Sequence, residues 1–153
     1  MKVAVLMGSP NDLTMMQPAA DTLAAFDIEA VVRVMSAHRS PEEVASFAGT
    51  AREAGFAAMI CGAGMAAHLA GAVAAHTTLP VVGVPLSRGA LSGIDALYST
   101  VQMPPGVPVA TVAVDGAVNA ALLVVQMLAI TDAGLVGRLA KDRDERAGRG
   151  TQI

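Results

Sequence analysis

Short apolar runs alternate along the chain with longer stretches whose apolar residues return at helical spacing. That alternation is the pattern of β-α-β units built on a parallel sheet. Five runs are predicted as strands, at residues 3–7, 30–35, 57–61, 81–84 and 109–114. Helices are predicted between them at 12–26, at 41–54 with Pro41 in the first turn, and at 66–75, 93–102 and 117–130. The charged stretch 132–146 reads as a last helix. Right-handed crossovers then give an α/β three-layer sandwich with a central parallel sheet, most simply flavodoxin-like. Pro104-Pro105-Gly106 is the strongest breaker cluster, and its place before the fifth strand makes it a loop. Residues 1–153 are therefore expected to form a single domain with a helical C-terminal tail from about 132, frayed over 148–153.

Composition narrows the partners. A chain of 153 residues is about one domain long and can bury roughly two-thirds of its unfolded surface. Its net charge is −3 and it has no basic run, which argues against nucleic acid as a ligand. Apolar residues make up 54%, mostly Ala and Val, with no Trp, and that excess suggests surface buried between subunits of a homo-oligomer. The single cysteine, Cys61, excludes an intramolecular disulfide and fits a reducing cytoplasm. No charged segment leads into an apolar one with a cleavage site, so secretion is not indicated. Residues 56–75 mimic a membrane span, with His68 the one side chain of histidine, lysine, arginine or acidic type. Gly62, Gly64 and Gly71 interrupt the stretch, and a buried strand followed by an inward-facing helix accounts for it without a membrane.

In an open parallel sheet, ligands bind in the crevice outside the carboxyl ends of the strands. Three polar segments converge there: Gly8-Ser9-Pro10-Asn11-Asp12, Ser36-Ala37-His38-Arg39 and Gly64-Met65-Ala66-Ala67-His68. Several chemistries are removed by counting. Lysine occurs only at Lys2 and Lys141, so neither a Walker A lysine nor a Schiff-base lysine is available to such a crevice. No His-x-His, Cys-x-x-Cys or His-Glu-x-x-His spacing exists, and no metal is expected. Gly62-Ala63-Gly64-Met65-Ala66-Ala67 matches a loose dinucleotide fingerprint, but it follows the third strand and no acidic residue lies between Glu53 and Asp95 to hold a ribose. The same lack of carboxylates, with a glycine turn at a helix start, favours an anionic ligand.

Arg39 offers a planar fork for phosphate or carboxylate, and Ser9, Asn11 and Ser36 offer short hydrogen-bonding groups. Asp12 reads either as an N-cap or as an acceptor for sugar hydroxyls. His38 alone would be a loop histidine and His68 alone a buried imidazole bonded to a carbonyl. Two imidazoles facing one anion-binding crevice point instead to proton transfer near neutrality. His76, beside Thr77 and Thr78, reads as an exposed cap, and Cys61 as core rather than nucleophile.

At these residues the chain resembles the N5-carboxyaminoimidazole ribonucleotide mutases, class I, of bacterial de novo purine synthesis. The resemblance rests on Met7-Gly8-Ser9 with Asp12, Ser36-Ala37-His38-Arg39-Ser40-Pro41, Gly62-Ala63-Gly64 with Ala66-Ala67-His68-Leu69, and Gly83-Val84-Pro85. Leu91-Ser92-Gly93, Asp95-Ala96-Leu97-Tyr98-Ser99 and Val101-Gln102-Met103-Pro104 continue it in register, and it runs from about Val3 to beyond Leu123. It implies a single catalytic domain that moves a carboxylate from N5 to ring carbon C4 without cofactor, metal or ATP. It implies that Ser9, Asn11, Asp12, Ser36, Arg39, Gly64 and Leu69 bind a ribonucleotide, with Arg39 and Ser36 toward the phosphate and Asp12 toward the ribose. His38 is then the general acid and base, and His68, with the turn around Gly64, lines the carboxylate or CO2 site. The segment from Leu86 to Asp95 would serve as a lid, and a cytoplasmic homo-octamer would use the apolar excess. The family usually carries Ser where Asn11 stands, Gly where Met65 stands and Pro where Ala70 stands. Two alternatives stay open: a class II carboxylase that takes 5-aminoimidazole ribonucleotide and CO2 directly, and a non-catalytic nucleotide-phosphate binding module.

Overall fold

In a computed structural model, residues 1–149 are described; 150–153 lie outside the described residues. The order is β1 (Lys2–Met7), a 3-10 turn (Pro10–Asp12), α1 (Leu13–Ala25), β2 (Glu29–Val34), α2 (Pro41–Thr50) and β3 (Phe56–Gly64). There follow α3 (Leu69–Ala74), β4 (Val81–Leu86), α4 (Ile94–Val101), β5 (Ala110–Thr111), α5 (Ala117–Ala129) and α6 (Ala133–Arg149). The strands form one parallel sheet in the order β2-β1-β3-β4-β5, the flavodoxin-like arrangement.

The two-residue period of a strand sorts the core into two halves. Val3, Val5 and Met7 of β1 join Met16, Ala19 and Leu23 of α1 and Ala120, Ala121 and Val124 of α5 on one face. Ala4 and Leu6 join Val44 and Ala48 of α2 and Leu69, Ala70 and Val73 of α3 on the other. Helical spacing at 16, 19, 20 and 23, and at 117, 120, 121, 124 and 125, supplies the matching apolar stripes. β2 is an edge strand and leaves Val32 and Val34 exposed.

The ends of the elements depart from the sequence expectations for identifiable reasons. α2 stops at Thr50, not at 54, because the chain winds through 51–54 and reverses at Gly55, whose φ is +83°. α3 spans Leu69–Ala74 instead of 66–75: β3 runs on through Gly64, and Met65, with φ +56°, turns the chain before a helix can begin. β5 is two residues rather than six: it borders only β4, and beyond it the chain turns toward α5 at Asp115, whose φ is +57°. The frayed end expected over 148–153 is partly contradicted, because α6 continues to Arg149; 150–153 fall outside the described residues. The membrane-like stretch 56–75 is divided between β3 and α3, and among the described residues no helix is long and apolar enough to cross a membrane.

Candidate active site

Parallel register brings the strand exits to one edge of the sheet, with β3 and β4 running on past the ends of β1 and β2. Met7 pairs with Val34 on one side and with Gly62 on the other, and Gly64 pairs with Leu86. The loops after β1, β2, β3 and β4 therefore meet at one edge of the sheet, around a cavity of about 390 Å³. Gly8, Ser9 and Asp12 line it from the first loop, Ser36, His38 and Arg39 from the second, Gly64, Met65, His68 and Leu69 from the third, and Arg88 from the fourth.

Each loop is held by its own sequence. Ser9 caps the 3-10 turn, its Oγ accepting from Asn11 N–H at 3.3 Å. In the second loop the Ser36 Oγ accepts from Arg39 N–H at 3.2 Å, and Ser40 N–H donates to the Ser36 carbonyl at 2.9 Å. Two serines thus fold the turn that projects His38 and Arg39. The loops are also tied across the sheet. Arg39 Nη2 donates to the Gly8 carbonyl at 2.8 Å, and Gly8 N–H donates to the Gly62 carbonyl at 3.2 Å.

The two imidazoles meet. Nε2 of His38 and Nδ1 of His68 are 2.5 Å apart, with ring centroids 4.8 Å apart and planes at 87°. Such a contact requires that one nitrogen carry a proton and the other receive it, since two imidazolium rings would repel. Both rings are exposed to the cavity mouth, and their outer nitrogens, Nδ1 of His38 and Nε2 of His68, bond to no described residue. The outer nitrogens are therefore free to exchange a proton with a ligand. The buried, carbonyl-bonded imidazole that His68 alone suggested is not what the fold builds.

Asp12 occupies the N-cap position of α1 but its side chain makes no cap bond. Its carboxylate, 7% exposed, is paired with Arg88, whose Nε lies 3.2 Å from Oδ1. The cavity thus carries two guanidinium groups, Arg39 and Arg88, against one carboxylate, a balance that favours an anion. Sequence reasoning missed Arg88 as an individual residue; the signal available was its position inside the segment read as a lid.

The remaining expectations divide. Leu69 is buried at the foot of the cavity, and Ser36 and Gly64 line it. Asn11 does not line the cavity: it is exposed beside it, its backbone bonded to Ser9 and Arg88. Gly62 and Gly64 belong to β3 and not to a phosphate-binding turn. Their lack of a side chain makes room, for Met16 at Gly62 and for Arg88 at Gly64, where an added Cβ would fall 2.2 and 2.5 Å from those side chains. Met65 holds a left-handed conformation that glycine adopts without strain, and its side chain packs over Gly89. Cys61 is buried in β3, and burial pushes its thiol far above the ordinary range, which leaves it inert. His76 is exposed in a separate cleft with Arg52 and Thr78. Among the described residues no three His, Cys, Asp or Glu side chains are grouped so that they could hold a metal ion.

Comparison with known proteins places this geometry. The family profile described as AIR carboxylase matches residues 2–148. A protein of Mycobacterium tuberculosis called N5-carboxyaminoimidazole ribonucleotide mutase is 53% identical over 146 residues, covering 95% of this chain and 84% of its own. A protein of Pyrococcus abyssi with the same name is 49% identical over 144 residues, covering 94% and 83%. The crystal structure of Treponema denticola PurE superposes with a TM-score of 0.85 at 27% identity, covering 97% of this chain and 92% of that one.

Proposed function

The chain belongs to the AIR carboxylase family, and from that membership and the geometry of its site we propose that it converts N5-carboxyaminoimidazole ribonucleotide to 4-carboxy-5-aminoimidazole ribonucleotide in purine biosynthesis. The observation that carries the reading is the His38–His68 pair at the mouth of a cavity that also holds Arg39, Ser9 and Asp12. We propose that the reaction uses no cofactor or metal, and that residues 1–153 act as one catalytic domain with α6 as its helical tail.

In this reading Arg39 and Ser36 take the phosphate, Ser9 binds beside them, and Asp12 accepts from the ribose hydroxyls. Asn11 supports that turn through its backbone. The N5–carboxyl bond breaks and releases CO2, while His38 gives N5 a proton. Carbon C4 then attacks the CO2, and the proton that C4 loses returns to His38, so the histidine ends as it began. His68, within hydrogen-bond distance of His38, lines with Gly64 and Leu69 the place where CO2 waits. Carbamate loss is easy, so what the protein supplies is confinement: it holds CO2 beside C4 and keeps water out, a positioning effect of about several kcal/mol.

The site of action is proposed as the cytoplasm and the working assembly as a homo-octamer. Ile94, Tyr98 and Val101 form an exposed apolar stripe along α4, with Leu91 exposed in the loop before it, a face that suits contact between copies. Sedimentation of the purified protein at eight times the chain mass supports the octamer, and a monomer overturns it.

Incubation of the purified protein with N5-carboxyaminoimidazole ribonucleotide, without ATP or metal, tests the activity. Conversion to the C4-carboxylated product faster than spontaneous decarboxylation is expected. Product only from 5-aminoimidazole ribonucleotide and CO2 would identify a carboxylase instead, and binding without product a non-catalytic module.

A further inference from the structure

We propose that Arg88 is a positioning residue that holds Asp12 in place for the ribose hydroxyls, an inference that rests on the role just given to Asp12. Arg88 stands on the loop between β4 and α4 and is 76 residues away from Asp12 in sequence. Its Nε donates to Asp12 Oδ1 at 3.2 Å and its Nη2 donates to the Asn11 carbonyl, so it grips two successive residues of the turn after β1. The Asp12 side chain is 7% exposed and that of Arg88 is 39% exposed. A guanidinium thus reaches inward to a carboxylate that the fold has already removed from water, where an unpaired charge is unfavourable. With Oδ1 engaged by Arg88, Oδ2 bonds to no described residue and is left to accept from a ligand.

Three separate contacts deliver the guanidinium to that place. At the root of the loop, Ser87 N–H and Oγ donate to the Asp115 carboxylate at 2.9 and 2.5 Å, while Asp115 N–H donates to the Pro85 carbonyl at 2.8 Å. At the stem, the Arg88 Cβ and Cγ lie against Gly64, so close that a Cβ there would come within 2.5 Å. Beyond Arg88, Gly89 has φ +75° and lies under Met65; a Cβ at Gly89 would meet the Met65 Cγ at 3.1 Å. The loop is therefore seated on β3 and on the start of the β3–α3 loop, and the arginine bridges from it to the turn after β1. Nε and Nη2 both engage the Asn11–Asp12 turn, and it is through Asp12, fixed by that grip, that Arg88 is proposed to act on the ligand.

The test uses full-length protein and 5-aminoimidazole ribonucleotide as the probe, with dissociation constants from calorimetry and kcat and KM from the conversion assay. Arg88→Ala is expected to weaken probe binding and raise KM about tenfold, the worth of a hydrogen bond to a charged group, with kcat changed less than about twofold. Arg88→Lys recovers part of the loss, which a failure to fold would not permit. Asp12→Asn weakens binding by itself, and in that background Arg88→Ala adds less than about twofold. If the two losses multiply, Arg88 touches the ligand directly and the proposal is overturned. It is equally overturned if Arg88→Ala binds the probe as well as or better than the parent. Asp12→Asn with unchanged affinity would instead refute the role of Asp12, and with it the basis of the proposal.

Discussion

Gly64→Ala tests the joint between β3 and the loop that carries Arg88. Gly64 is the last residue of a strand and has no left-handed φ, so alanine can adopt its backbone and only space opposes it. The new Cβ would lie 2.5 Å from Arg88 Cβ, 2.7 Å from Arg88 Cγ and 3.3 Å from the Leu86 carbonyl oxygen. Carbon atoms in contact prefer about 3.5–4.0 Å, so the deficit is about 1 Å. It cannot be relieved by turning the far end of the side chain, because Cβ is fixed to the backbone; the loop itself must shift. Overpacking of this kind costs about 1–3 kcal/mol, and for a chain of this length each kcal/mol lowers Tm by roughly 2–4 °C. Thermal unfolding followed by circular dichroism measures that cost, and calorimetry with 5-aminoimidazole ribonucleotide reads the accompanying loss of the Arg88–Asp12 contact as weakened binding. The Arg88→Ala background keeps the offending Cβ, so the cost of Gly64→Ala should persist there. The Arg88→Gly background removes both atoms, and the cost should fall by more than about half. A Gly64→Ala protein that melts within about 1 °C of the parent and binds the probe equally well would refute the reasoning.

Three further outcomes are expected. His38→Asn keeps a hydrogen-bonding group but cannot exchange the proton, so kcat should fall at least about a hundredfold while affinity for 5-aminoimidazole ribonucleotide changes little; undiminished turnover would remove His38 from the proton transfer. Met65→Gly relieves a left-handed side chain, worth on the order of 1–3 kcal/mol, against greater freedom of the unfolded chain and the lost contact with Gly89. Steady-state kinetics should show retained turnover with altered KM, and unchanged constants would show that Met65 does not shape the site. Burial holds the Cys61 thiol protonated in the folded chain, whereas the unfolded chain ionises near the ordinary thiol value of about 8.5. The unfolded state then binds fewer protons, so stability declines as the pH rises past that value, by up to about 1.4 kcal/mol per pH unit. Denaturant melts of Cys61→Ala should lack this share of the decline, and identical slopes for both proteins would contradict it.

The strand-and-helix order was legible because burial is written into the chain in two periods. Val3, Val5 and Met7 against Ala4 and Leu6 mark a strand covered on both faces, and the stripe from Ala117 to Val125 marks a helix with one covered face. The strand ends were legible for the same reason: where the apolar run stops and Ser, His or Arg follows, the chain has left the sheet. Helix and strand ends that depend on a single backbone angle were not. Met65 shortens α3 by taking a left-handed φ that methionine seldom adopts, and Asp115, at φ +57°, turns the chain toward α5 after a short β5. Arg88 escaped because its partner is 76 residues away and nothing near it in the chain announces the pairing. Asp12 carried two local meanings, and in the fold its side chain makes no cap bond and pairs with Arg88 instead. Asn11 stands in the turn after β1, exposed beside the cavity, with its backbone bonded to Ser9 and Arg88.

The central claim is transfer of the carboxylate within one ribonucleotide. The most direct measurement supplies N5-carboxyaminoimidazole ribonucleotide labelled with ¹³C in the carbamate, in buffer holding an excess of unlabelled bicarbonate, and reads the label in the product by NMR. Retention of ¹³C in the carboxylate on C4 is predicted, because the CO2 released from N5 stays beside His38 and His68 until C4 captures it. Product carrying unlabelled carbon from solution would contradict the account and identify direct carboxylation.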